Sequence, residues 1–261
     1  MKRKFITAVT SIAIPLTFIF VLQVLNPLIS FIQNNTKYHQ LLFAVTGVPL
    51  AILISYAFNK STQLVFIPKK TTIKKTFLGL FLGTIITTVM IFILLFFSEL
   101  EIKLNTKNNF LNASTWCLIF FPLAYLEEII FRGQAFTSLK NVLGIRTTQF
   151  IFAILFAYYH DVTGTTFISQ LLGPGIWALI FGWAAIKSNG IAFPTGIHVG
   201  INIIQAVFGL KEDVYSICFF YYEDTVTQEL QNKTEIIGLS MQLIVFVTGI
   251  ILTEKIIKQK N

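Results

Sequence analysis

Six residues of this chain combine reactive side chains with a setting that ordinarily excludes them. Glu127, Glu128 and Arg132 fall in one apolar run, His160 ends a second, and His198 and Asn202 lie in a third. Placing an Arg or Asp at the centre of a membrane helix costs about 2.5–3.5 kcal/mol on the insertion scale, so charges kept there mark a functional site by default. Helix geometry separates their roles. Glu128 and Arg132 are four residues apart and share a face, so the guanidinium neutralises and orients that carboxylate. Glu127 points about 100° away from Glu128 and is left free to act as a base. His198 and Asn202 are also four apart, so imidazole and carboxamide project together and can hold one oxygen between two donors. His160, with Asp161 beside it, adds a group able to handle a proton or position water. A base, a proton-handling partner and an oxyanion-binding pair form the minimum inventory for hydrolysing an amide with water. The same residues admit a plainer reading, in which the ion cluster fixes helix packing and the histidines bond to backbone carbonyls.

The elements that must carry these residues are membrane spans. The 261 residues are 54% hydrophobic and 12% charged, with a mean hydropathy of +0.72. A soluble domain carries about 25% charged residues, so a soluble globule is excluded. Eight uncharged runs are read as spans: residues 5–32, 41–58, 77–98, 115–126 with a polar-marked continuation to 139, 150–159, 167–186, 191–210 and 236–253. The first is too long for a signal-peptide core and has no small-residue cleavage site, so it is expected to be retained. Pro174 and Gly175 are expected to break the sixth. With the N-terminus inside, fourteen Lys and Arg residues fall on the cytoplasmic side. Five fall on the other (Lys37, Lys103, Lys107, Lys211 and Lys233), together with the acidic Glu212, Asp213, Glu223, Asp224 and Glu229.

The fold expected is therefore all-α, a polytopic membrane helix bundle of about eight transmembrane helices with both termini cytoplasmic. No repeat or linker interrupts it, which makes residues 1–261 a single integral-membrane domain. The net charge of +8 is scattered through short loops rather than gathered in an aromatic-interleaved patch, so no nucleic-acid partner is expected. Cys117 and Cys218 support neither a disulfide framework nor a zinc site. For the motifs to form one site, the fourth, fifth and seventh spans must adjoin. Glu127, His160, His198 and Asn202 then converge on one water-accessible cavity, expected to open in the cytoplasmic half with His160 near its floor.

The ordered set Glu127-Glu128-x-x-x-Arg132-Gly133, Phe156-x-x-x-His160 and His198-x-x-x-Asn202, with Pro194 and Gly196 upstream, resembles the CPBP family. That family, CAAX protease and bacteriocin-processing, is also called Abi, and its eukaryotic relatives are the type II CAAX prenyl endopeptidases. The motifs span roughly residues 118–208; the first three spans and about the last fifty residues match only as hydrophobic segments. The resemblance implies an intramembrane endopeptidase in which Glu127 activates water with His160 and His198 and Asn202 stabilise the tetrahedral oxyanion. Glu128 and Arg132 would be structural supports. The rival mechanism is a zinc metalloprotease with Glu127, His160 and His198 as ligands and one open position. No His-Glu-x-x-His occurs, and Asn202 on the face of His198 suits an oxyanion better than a metal, which favours a mechanism without a cofactor.

A composition heavy in Phe, Ile, Lys and Asn suggests an AT-rich bacterial genome, and so a bacterial cell membrane. Bacteria generally lack CAAX prenylation. There the resemblance implies processing of a peptide precursor such as a pheromone or bacteriocin, or self-immunity against a bacteriocin. The expected partners are a membrane-associated peptide or protein substrate and the lipid bilayer. A reading from another class is a non-proteolytic membrane scaffold or bacteriocin immunity protein. A relative that had lost catalysis would be free to lose Glu127 or Asn202, and neither is lost. A secondary transporter is disfavoured by the missing internal repeat. The final Lys258-Gln259-Lys260-Asn261 is not a CAAX box, so the chain is not expected to be a prenylated substrate itself.

Overall fold

A computed structural model describes residues 2–32, 36–59, 70–106, 110–161, 166–211, 216–223 and 225–260. Lys60, Lys69, Lys107, Glu212, Asp213 and Asp224, which entered the charge count, lie outside these. In lipid the backbone must satisfy its own polar groups, and the apolar runs accordingly form helices. They are α1 (Lys2–Ile32), α2 (Thr36–Asn59), α3 (Lys70–Phe97), α4 (Phe110–Arg132), α5 (Gln134–Leu143), α6 (Ile145–Asp161), α7 (Phe167–Gln170), α8 (Ile176–Ser188), α9 (Ala192–Val207) and α10 (Gln228–Lys260). Five stretches are long and apolar enough to cross a membrane: Lys2–Leu25, Thr72–Phe97, Ala113–Leu143, Phe167–Ser188 and Gln228–Gln259. Phe43–Phe58 and Ala192–Val207 are shorter apolar helices. Large apolar side chains such as Phe5, Phe20, Phe81, Phe92, Phe96 and Ile244 stand exposed on the helices, as a lipid-facing surface requires. The protein is a multi-pass membrane helix bundle.

Two local features depart from expectation. Pro174 does not break its helix; a π-helical turn at Leu171–Gly175 absorbs the lost hydrogen bond and joins α7 to α8. An antiparallel ribbon, unforeseen in the sequence, pairs β1 (Glu101–Leu104) with β2 (Cys218–Tyr221), placing Glu101 opposite Tyr221 and Leu104 opposite Cys218.

The ends of the bundle differ in charge. At one, Lys75 Nζ donates to Ser188 O at 2.7 Å, Arg146 pairs with Glu254, and Lys187, Lys255 and Lys258 lie in the adjoining helix ends. The ribbon lies at the other, with Glu101 and Lys103 in β1 and Glu223 just after β2. Between the ends, α3 and α9 form the most extensive helix pair. Gly79, Gly83, Gly196 and Gly200 make it possible. A Cβ on Gly79 or Gly83 would strike the Phe193 or Ile197 carbonyl, and one on Gly196 or Gly200 the Thr76 or Leu80 carbonyl. This small-xxx-small interlock brings the two backbones into direct contact and fixes the rotation of α9, the helix that carries His198 and Asn202.

Candidate active site

The helix α4 presents Glu127, Glu128 and Arg132 near its C-terminus. Gly133 then ends it, with ψ −134° outside the helical region and its N–H still bonded to Ile129 O at 3.2 Å. A Cβ at this position would collide with that carbonyl, which gives a steric reason for glycine directly after Arg132. The break separates α5 from α4, and Arg132 just before it is buried among rings.

Arg132 and Glu128 are the expected pair, Nη1 to Oε1 3.5 Å, both excluded from solvent. The guanidinium carbon lies 4.2 Å from the Phe156 ring centroid and 5.1 Å from that of Phe181. Its nitrogens find no hydrogen-bond acceptor among the described residues. Cation–π attraction and the Glu128 charge therefore hold it.

Glu127 faces a different set of groups, as the 100° offset requires. Its Oε2 lies 3.6 Å from His198 Nε2 and 3.8 Å from His160 Nε2, and the Tyr159 hydroxyl is close enough to the carboxylate for the two to interact. His160 occupies the last turn of α6, where its Nδ1 sits 2.8 Å from Phe156 O. A carbonyl only accepts, so Nδ1 carries the proton, and in the neutral ring Nε2 turns a lone pair toward Glu127. His198 stacks on Phe181 with centroids 4.7 Å apart. Its Nδ1 lies 3.1 Å from Glu128 Oε1. Asn202 is buried one turn further along the same face of α9.

The expected neighbours α4, α6 and α9 thus bring Glu127, His160 and His198 together, with Glu128 and Arg132 behind them. The exposure of these side chains runs against expectation. His160, expected at the floor, is 26% exposed, against 12% for Glu127, 8% for His198 and 0% for Glu128. The expected order of depth is reversed: α6 holds His160 in its last turn, at the ribbon end of the bundle, and its side chain is the most exposed of the four.

Three contributors carry no distinguishing signal in the sequence: Tyr159 is one aromatic among several beside His160, Phe181 lies within an apolar run, and Lys211 is a loop charge. Lys211 Nζ lies 5.8 Å from the Phe120 ring centroid and close enough to Glu127 for their charges to interact. Zinc would require Glu127, His160 and His198 as ligands, and among the described residues no group of three His, Cys, Asp or Glu side chains has the arrangement to hold a metal ion. Cys117 and Cys218 are both free thiols.

Comparison with curated proteins and with solved structures gives no match. A family comparison does. Residues 108–204, which hold Glu127, Glu128, Arg132, His160, His198 and Asn202, match the family described as Type II CAAX prenyl endopeptidase Rce1-like, so that segment carries the CAAX-protease resemblance that its three motifs display.

Proposed function

We propose that the protein is an intramembrane endopeptidase that hydrolyses peptide bonds of membrane-associated peptides or proteins with water activated by Glu127. The observation that carries this reading is the approach of two imidazole nitrogens, from α6 and α9, to one carboxylate oxygen, Glu127 Oε2. Separations of 3.6 and 3.8 Å exceed a direct hydrogen bond and suit a bridging water. Water held by Glu127 and His160 passes a proton to the Glu127 carboxylate as its oxygen adds to the scissile carbonyl carbon. The carbonyl electron pair moves to oxygen, and the resulting oxyanion accepts hydrogen bonds from His198 Nε2–H and the Asn202 carboxamide. Collapse breaks the C–N bond, and the departing nitrogen takes the proton from Glu127.

Glu128 has a part in this scheme. With Nδ1 turned to Glu128, His198 can donate from Nε2 only as an imidazolium, whose charge Glu128 balances. Arg132 holds Glu128 in place. No step uses a metal or other cofactor.

The bundle is read as eight spans with both termini cytoplasmic in a bacterial cell membrane, since the basic end then meets the cytoplasm. His160, the most exposed site residue, then lies toward the outer face, which favours exported peptide precursors as substrates, or bacteriocins in self-immunity. The test is mass spectrometry of membrane-associated peptides from cells expressing the wild type or Glu127→Gln. Cleavage products that appear with the wild type alone support the reading, and identical peptide profiles oppose it.

A further inference from the structure

Lys211 lies beyond the segment that matches the protease family, yet its ammonium reaches α4, 5.8 Å from the Phe120 ring centroid. The α9 helix ends in a reversal: Leu210 N–H bonds Gln205 O at 2.8 Å and Gly209 N–H bonds Ala206 O at 3.1 Å. Gly209 adopts φ +69°, which a glycine tolerates, and a Cβ there would meet the Cys218 carbonyl of the ribbon. The ribbon grips this turn from the other side. Ile217 N–H bonds Val207 O at 3.1 Å, and Phe208 stacks on Phe220 with centroids 6.0 Å apart. The turn sends the Lys211 side chain to Phe120 on α4, within electrostatic range of Glu127 and His160. Lys211 is half-buried and makes no ion pair within 4 Å among the described residues. Burial pushes its ammonium below the usual lysine range, and the Glu127 charge opposes that shift.

We infer that Lys211 is a substrate-binding residue that engages a carboxylate on the peptide substrate near the scissile bond. The inference rests on the protease reading above. Phe120 precedes Glu127 by seven residues on α4, about 10 Å along a helix axis. An extended peptide covers that distance in about three residues, so the bound carboxylate lies two to four residues from the cleaved bond. It is either an Asp or Glu side chain of the substrate or its terminal carboxylate.

The test uses full-length protein in phosphatidylcholine vesicles with synthetic peptides anchored by an N-terminal palmitoyl group. Pairs of peptides differ only in Asp against Asn at a scanned position, or in a free C-terminus against an amide. The readout is the ratio of kcat/KM within each pair, which does not depend on how much of a variant is folded. The wild type should prefer the carboxylate on the order of tenfold at positions two to four residues from the cut, as one charge-assisted hydrogen bond provides. Lys211→Met should bring that ratio to about one, and Lys211→Arg should restore it. Whether the Asp or the terminal pairs respond identifies the source of the carboxylate. A ratio unchanged in Lys211→Met, whether total activity is kept or reduced, would overturn the inference. Wild-type protein that cleaves no peptide at all would overturn the protease reading, and this inference with it.

Discussion

Glu128 and His198 are joined through a single oxygen: Glu128 Oε1 lies 3.1 Å from His198 Nδ1 and 3.5 Å from Arg132 Nη1. One carboxylate therefore ties the terminal turn of α4 to the middle of α9. Removing either charge leaves the other buried without its partner, at a cost of about 3–5 kcal/mol. Glu128→Gln and Arg132→Ala should both lower the yield of folded protein and its melting temperature in detergent. Wild-type melting in both would remove the pair from the stabilising role assigned to it.

Glu127→Gln is nearly isosteric and removes only the base. Cleavage should fall by about 10²–10⁴-fold, the usual contribution of a general base, while melting stays close to wild type. Full activity would take Glu127 out of the mechanism.

Tyr159→Phe deletes the hydroxyl that lies near Glu127 and keeps the ring packed against Phe131 at 5.3 Å. If that hydroxyl supports the carboxylate by about 0.5–1.5 kcal/mol, the scale of one modest hydrogen bond, kcat should drop by roughly three- to tenfold. Folding should be little changed. An unaltered kcat would show that the hydroxyl does not position the carboxylate.

The reading without a metal has its own check. Purified protein should keep its activity after exhaustive chelation and contain no stoichiometric zinc. Activity abolished by chelation and recovered with zinc would assign Glu127, His160 and His198 as metal ligands instead.

Gly83→Ala and Gly200→Ala each press a methyl group onto a backbone carbonyl that cannot rotate away. Overpacking of this kind costs about 1–3 kcal/mol and should lower the melting temperature. Gly238→Ala is the control, because a Cβ there meets nothing within 4 Å. Equal melting of all three would mean that the helices are less tightly interlocked than their backbones indicate.

Relationships within one helix were legible in the sequence. The Glu128–Arg132 pair and the shared face of His198 and Asn202 follow from 3.6-residue periodicity, which needs no knowledge of neighbours. The apolar runs gave most of the helices for a similar reason, since length and hydropathy are local properties. Relationships between helices were not legible. Nothing in the spacing of α4 and α9 says that His198 Nδ1 meets Glu128, because that depends on how each helix is rotated about its axis. The rotation of α9 follows from Gly79, Gly83, Gly196 and Gly200, a signal present in the sequence as two matching four-residue spacings. The reach of Lys211 depends on a helix reversal and on a ribbon whose strands are more than a hundred residues apart. No local pattern encodes such a pairing.

The glycine interlock also bears on how a substrate arrives. Helices that meet backbone to backbone cannot slide or tilt apart without first opening a gap that no side chain fills, so α3 and α9 travel as one rigid wall. A peptide entering sideways from lipid has to part the bundle somewhere else. The contact of α2 with α4 is of the other kind: Gly47 rests against the flexible tip of Leu126, next to Glu127 in the chain. A side chain that can change rotamer yields where a carbonyl cannot. The fixed wall carries His198 and Asn202, and Glu127 stands on the side that can give way.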